Sequence, residues 1–158
     1  MARLRKFVCY RKIKRPNTRK SKYRKKSFVR GIPVCRIVKF VIGNLNGVFS
    51  HRVDMCTKQA MQVRDNAIES ARLITNRTME KVLGKSGFRL QVRVYPHHVL
   101  REHALASGAG ADRFSSGMAH AFGKPMGNAA QLKKDQILIS LYTNEKKYTF
   151  SKKSITKS

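Results

Sequence analysis

Acidic residues are scarce. The 158-residue chain carries 8 aspartates and glutamates against 35 lysines and arginines, a formal net charge of +27. Residues 1–53 hold seventeen basic side chains and no acid. Like charges this dense repel one another and cannot close a compact structure without an anionic partner. A nucleic-acid backbone fits, because each phosphate contact releases condensed counterions.

Other absences narrow the class. Cys9, Cys35 and Cys56 are widely spaced and form no C-x-x-C pair. This argues against a disulfide framework or zinc module and fits a reducing compartment. There is no long apolar run and no signal-peptide pattern, and residue 2 is Ala, which gives no lipidation signal. A soluble intracellular protein with no membrane partner is the expectation.

Catalytic signatures are missing as well. His97, His98 and His103 lie near Glu102, Asp112 and several serines, but neither H-E-x-x-H nor G-x-S-x-G is present. Gly108-Ala109-Gly110 begins like a dinucleotide fingerprint, yet the third glycine position is Arg113. Gly123-Lys124-Pro125 lacks the Ser/Thr of a phosphate-binding loop. No enzyme, catalytic residue, metal, cofactor or small-molecule substrate is expected. The histidines read as polar or stacking contacts or as structural imidazoles.

What the chain does have is a basic arm. Arg3, Arg5, Lys6, Arg11, Lys12, Lys14, Arg15, Arg19, Lys20, Lys22, Arg24, Lys25, Lys26 and Arg30 fall within the first thirty residues. Phe7, Tyr10, Tyr23 and Phe28 are spaced through it, either to stack on unpaired bases or to pack on the protein body. Pro16, Thr18, Ser21 and Ser27 argue against one continuous helix. Residues 1–28 thus read as an extended basic nucleic-acid-binding arm, 29–145 as one folded domain and 146–158 as a basic tail.

Within the domain, residues 36–42 (RIVKFVI) and 48–53 (VFSHRV) predict strands around the turn pairs Gly43-Asn44 and Asn46-Gly47. Thr57 is a plausible N-cap for a helix from Lys58 to about Leu83, its apolar face built from Ala60, Met61, Ala67, Ile68, Ala71 and Ile74. Gly84 ends that helix. Four of the eight acids, Asp54, Asp65, Glu69 and Glu80, lie on or beside it, so its outer face is the part least suited to phosphate. Residues 88–94 alternate, with Phe88, Leu90, Val92 and Val94 on one side and Arg89, Gln91 and Arg93 on the other. This is a half-buried strand with a basic outer face. Val99-Leu100 resumes a strand after Pro96, residues 123–127 (GKPMG) read as a turn, and residues 136–142 (QILISLY) as the last clear strand, with a short one possible over Tyr148 to Phe150. Residues 102–117 form a loop rich in Gly, Ala and Ser, a composition that marks functional or disordered segments.

Several of these pieces together resemble a known family. They are Cys9-Tyr10-Arg11, Arg30-Gly31-Ile32-Pro33, residues 81–88 (KVLGKSGF), 93–101 (RVYPHHVLR), 108–113 (GAGADR) and 121–127 (AFGKPMG). The family is that of the large-subunit ribosomal proteins called L sixteen in bacteria and L ten-e in archaea and eukaryotes. The similarity runs from about residue 7 to residue 143, and the GAGADR segment is similar to the archaeal/eukaryotic branch.

The resemblance implies an α+β fold, an α/β-hammerhead-like mixed sheet with one long helix and a basic N-terminal arm. It implies a structural constituent of the large ribosomal subunit, working in the cytoplasm, with rRNA bound near the aminoacyl-tRNA site. The rRNA-binding residues are then the basic side chains of the arm together with Arg36, Arg89, Arg93, Arg101 and Lys124. It also implies a loop facing tRNA and the peptidyl-transferase centre, formed by Glu102, His103, Ala104, Leu105, Ala106, Ser107, Gly108, Ala109, Gly110, Ala111, Asp112, Arg113, Phe114, Ser115, Ser116 and Gly117. Implied partners are large-subunit rRNA, aminoacyl- and peptidyl-tRNA, neighbouring large-subunit proteins, and late assembly and export factors. If the source is eukaryotic, the protein joins the exported pre-subunit late. The alternative class is a free-standing RNA- or DNA-binding protein such as an RNA chaperone.

Three departures from the family stand out. The arm is more basic than usual after Tyr10 and lacks an expected proline-tyrosine stretch. Met118-Ala119-His120 replaces a usual Met-Arg-Gly, and the chain passes almost directly from the last strand to Lys146-Lys147-Tyr148, where the family has a second long helix. Loss of that helix is expected here.

Overall fold

The computed structural model describes residues 5–12, 29, 31–102 and 123–144. Expectations that fall elsewhere lie outside the described residues. These are most of the arm, the loop from His103 to Gly117, the Ala119-His120 substitution, the strand over Tyr148 to Phe150, and the second helix and tail beyond Asn144. The elements in chain order are α1 (Val8–Arg11), β1 (Val41–Gly43), β2 (His51–Cys56), β3 (Met61–Arg64), α2 (Asp65–Leu83), β4 (Phe88–Val92), β5 (His98–Glu102), β6 (Lys124–Leu132) and β7 (Ile137–Thr143).

The fold is α+β, as the sequence leads one to expect, but the sheet is divided. One unit holds a four-stranded sheet in the order β1-β4-β7-β2, and the other a three-stranded sheet in the order β3-β6-β5. The β1/β4, β4/β7, β2/β7 and β5/β6 pairs are antiparallel, so in place of one mixed sheet there are two sheets built on antiparallel pairing.

In the four-stranded unit the alternation of β4 survives folding. Phe88, Leu90 and Val92 are buried, while Arg89 and Gln91 are half-buried on the other face. Their neighbours on β7, Leu141 and Ile139, are also buried, and α2 contributes Ile68, Met79 and Leu83 to the buried set. The 36–42 segment is a strand only over its end: β1 starts at Val41, although the Phe40 carbonyl still accepts from the Val92 amide at 2.8 Å. At the edge of β1, Gly43 has φ +93°, and a Cβ there would collide with the Phe88 carbonyl oxygen. Glycine alone fits this close approach.

The helix begins seven residues later than its pattern suggests. The Thr57 hydroxyl, expected as its cap, instead donates to the Lys133 carbonyl at 2.6 Å, and the Thr57 backbone bonds the same β6–β7 turn. That turn reaches its geometry with Asp135 at φ +61°. Residues 61–64 pair as β3, and α2 starts at Asp65, whose carboxylate suits the positive end of the helix dipole. The buried stripe of α2 is also different from the expected one. It runs Asp65, Ile68, Arg72, Thr75, Met79, Leu83, whereas Ala67 and Ile74 are exposed. Arg72 is accommodated there by a paired Glu69. Gly84, at φ +69°, ends the helix as expected.

In the other unit, residues 124–127 of the expected turn belong to β6. Pro125 pairs with Arg101 where the register shifts between Leu100 and Arg101. Such an irregularity accepts a proline that a regular ladder would reject. Tyr10, Leu100 and Ala129 form an apolar cluster here, and the Asn128 side chain donates to the Pro33 carbonyl at 2.7 Å.

Candidate nucleic-acid interface

The four-stranded sheet presents one apolar and one polar face. Antiparallel register places Arg52 of β2 opposite Tyr142 of β7, and Tyr142 opposite Arg89 of β4. The three side chains form a row across three strands. The Arg52 guanidinium carbon stands 5.8 Å from the Tyr142 ring centroid and that of Arg89 stands 5.5 Å from it, both within cation–π range. The next row on this face is Asp54, Ser140 and Gln91.

Asp54 grips Arg52 with two bonds, Nε to Oδ1 at 2.9 Å and Nη2 to Oδ2 at 2.8 Å. Partial burial works to raise the Asp54 pKa, but the hydrogen bonds from Arg52, with the charges of Arg52 and Arg93, hold it below its ordinary value. The same hydrogen bond to Asp54 raises Arg52. Arg93 is exposed just past the end of β4, its guanidinium 3.3 Å from the Gln91 amide oxygen. Nearby in the same unit, half-exposed Tyr95 stacks on Phe40 at 5.6 Å between centroids.

In the three-stranded unit, Arg5 pairs with Glu102, so its side chain is turned to the protein. Arg64 donates to the Arg5 carbonyl at 3.0 Å and lies 5.6 Å from the centroid of the Tyr10 ring. Tyr10 is thereby packed on the protein body, one of the two roles open to it in the sequence. Lys6, Arg11, Lys12 and Lys124 are exposed. Arg101 is half-buried, and burial lowers its pKa. Lys124 sits opposite Glu102 at the ends of β6 and β5.

Of the expected basic contacts, Arg89 and Arg93 belong to the four-stranded unit, as does exposed Arg36; Arg5, Lys6, Arg11, Lys12, Arg101 and Lys124 belong to the three-stranded one. Arg3, Lys14, Arg15, Arg19, Lys20, Lys22, Arg24, Lys25, Lys26 and Arg30 lie outside the described residues. Sequence reasoning passes over Arg52, Tyr142 and Arg64. Arg52 and Tyr142 lie on the polar phase of their strands, but only register brings them beside Arg89.

Among the described residues no group of three His, Cys, Asp or Glu side chains could hold a metal ion. His97 is exposed and His98 half-buried. Cys9 and Cys56 are exposed and Cys35 half-buried, all as free thiols. No helix of the described residues is long and apolar enough to cross a membrane.

Residues 16–156 match the family described as Ribosomal protein L16p/L10e. The large ribosomal subunit protein uL16 of Methanococcus aeolicus is 41% identical over 152 residues, covering 96% of this chain and 85% of that protein. The protein of that name from Archaeoglobus fulgidus is 37% identical over 146 residues, covering 92% and 80%. The one from Methanospirillum hungatei is 42% identical over 128 residues, covering 81% and 75%.

Proposed function

The chain belongs to the ribosomal protein L16p/L10e family, and from that premise we propose that it binds large-subunit rRNA near the aminoacyl-tRNA site and the peptidyl-transferase centre. As a member of the family it is a structural protein of the large ribosomal subunit and takes part in translation. In this reading it positions tRNA and rRNA, and the peptide-bond chemistry belongs to RNA. It joins the subunit late in assembly, beside neighbouring subunit proteins and transient assembly factors.

The observation that carries this reading is the match to archaeal uL16 proteins across nearly the whole chain. Charge supports it. A net +27 needs a polyanion, and Arg93, Lys124 and Lys6 are exposed and offer phosphate contacts. Two of the acids are kept from opposing such contacts, since Asp65 is buried and Glu69 is bound to Arg72. The proposed rRNA-binding set is the basic side chains of the arm from Arg3 to Arg30, less Arg5, which is paired with Glu102, together with Arg36, Arg89, Arg93, Arg101 and Lys124. The segment from Glu102 to Gly117 is the part that approaches tRNA. The domain limits read from the sequence, an arm over 1–28 and a basic tail over 146–158, are part of the same proposal.

Co-sedimentation is the test. A tagged copy expressed in its own cells should be stoichiometric in salt-washed large subunits. A substoichiometric protein that washes off with salt would mark a free RNA-binding factor instead. For the finer placement, iron-tethered cleavage from a cysteine introduced at Ser107 should cut rRNA around the peptidyl-transferase centre.

A further inference from the structure

The Arg52–Tyr142–Arg89 row has a chemistry that general phosphate binding does not use. A surface meant only to neutralise phosphate needs exposed cations, and an acid within it is a cost. Here Asp54 is bonded twice to Arg52, which cancels much of the charge of that arginine and fixes the plane of its guanidinium. Arg89 and Arg93, in contrast, have no carboxylate bonded to them among the described residues, and the Arg89 Nε is buried with no hydrogen-bond acceptor. Tyr142 stands half-buried between the two kinds of arginine.

We propose that this face of the four-stranded sheet binds an unpaired RNA nucleotide, its base lying on Tyr142 and the fixed guanidinium of Arg52, its phosphates held by Arg89 and Arg93. The inference rests on the ribosomal reading above and gives it a site. Unpaired bases stack on aromatic rings and on arginine planes, and a sheet face is a common platform for them. A guanidinium that is already neutralised and oriented loses little freedom when a base covers it. Arg89 and Arg93 beside it supply the phosphate contacts. The excess of positive charge on the polar face, three arginines and one acid, selects an anionic partner over an apolar one, and the ring and guanidinium planes favour RNA among anions. Duplex RNA fits less well, because paired bases have no open face to offer Tyr142.

Salt dependence separates the two halves of the site. The full-length chain is titrated with a labelled decamer of uridylate and with an RNA duplex of equal length, at several salt concentrations. Tyr142→Ala should weaken the single strand by about fivefold or more, with the slope against log salt unchanged, because stacking releases no counterions. Tyr142→Phe should bind as wild type. Arg89→Gln should reduce the single-strand slope by about 0.7, one phosphate contact. Duplex binding should respond little to Tyr142→Ala. Equal affinity of Tyr142→Ala and wild type for the single strand, or equal losses for single strand and duplex, would overturn the proposal.

A measurement on the unaltered chain guards against a variant that fails to fold. A decamer carrying 4-thiouridine, crosslinked by light, should mark the peptide that contains Tyr142. Crosslinks elsewhere with none on residues 137–143 would also overturn the site while leaving the ribosomal reading intact. That reading would fail separately, if the wild-type chain bound neither RNA or was missing from large subunits.

Discussion

Gln62 ties the N-terminal helical turn to the three-stranded sheet: its side-chain amide donates to the Tyr10 carbonyl at 3.0 Å, across fifty-two residues of sequence. Gln62 is 5% exposed, and its amide oxygen accepts from Gln131 at 3.3 Å. With Arg64 reaching the Arg5 carbonyl and the Tyr10 ring, β3 is where the N-terminal turn meets the three-stranded sheet.

Replacing Gln62 with leucine should therefore leave the buried Tyr10 carbonyl without a donor. The cost expected is about 1–3 kcal/mol of that unit's stability. Hydrogen exchange should show faster exchange at Tyr10 and Arg11, and proteases should cut after Arg11 or Lys12 sooner than in wild type. Unchanged protection there would mean that the Tyr10 ring alone holds the turn.

Two glycines at positive φ allow a paired comparison. At Gly43 a Cβ meets the Phe88 backbone; at Gly84 it meets nothing within 4 Å. Gly84→Ala then carries only the left-handed backbone penalty, about 1 kcal/mol. Gly43→Ala adds a collision with the β1–β4 ladder and should cost about 2–3 kcal/mol or more. Urea unfolding of the two variants decides it: equal losses would show that β1 moves aside freely.

How much of this is legible in the residues depends on whether the signal is local. Gly84 ending α2 and the alternation from Phe88 to Val92 are local and readable. The start of α2 is misread because Asp54 and Thr57 imitate a cap, while the hydroxyl is bound to a turn seventy-six residues away. The core stripe of α2 is misread because it includes Asp65, Arg72 and Thr75, polar residues that an apolar period skips. The Arg52–Tyr142–Arg89 row is invisible because register is a property of three strands, and a slip of one residue would send each of these side chains to the other face.

Acid should loosen the four-stranded unit. Asp54 and Glu69 both have pKa values held below the ordinary carboxylate value: burial works to raise Asp54 but Arg52 more than offsets it, and Glu69 is lowered chiefly by Arg72. A group depressed in the folded state stabilises fully above its unfolded pKa, about 4, and that contribution is lost as pH falls through the folded value. Thermal midpoints should thus drop between about pH 5 and pH 3. Asp54→Asn should be less stable at neutral pH yet show a shallower drop. A variant with the full wild-type acid slope would remove Asp54 from the account.

The last prediction concerns the connection between β5 and β6. The paired ends of these antiparallel strands, Glu102 opposite Lys124, close the base of the intervening segment, and Arg5 holds Glu102 from the side. The entropy of closing a loop depends only weakly on its sequence and length, so the strands should pair whatever residues lie between them. Replacing residues 105–114 with a Gly-Ser segment of equal length should cost the fold little and leave the protein in large subunits. In the proposed role, its glycines Gly108 and Gly110 and its small side chains would permit close approach to an RNA surface, and Arg113 would add a cation. If that approach is the purpose of the segment, cells carrying the replacement should grow slowly, with reduced polysomes and a surplus of free large subunits. Normal growth and polysomes would make the segment a spacer and withdraw the tRNA-facing role from residues 102–117. Loss of the protein from the subunits would place the contribution of the segment in assembly instead.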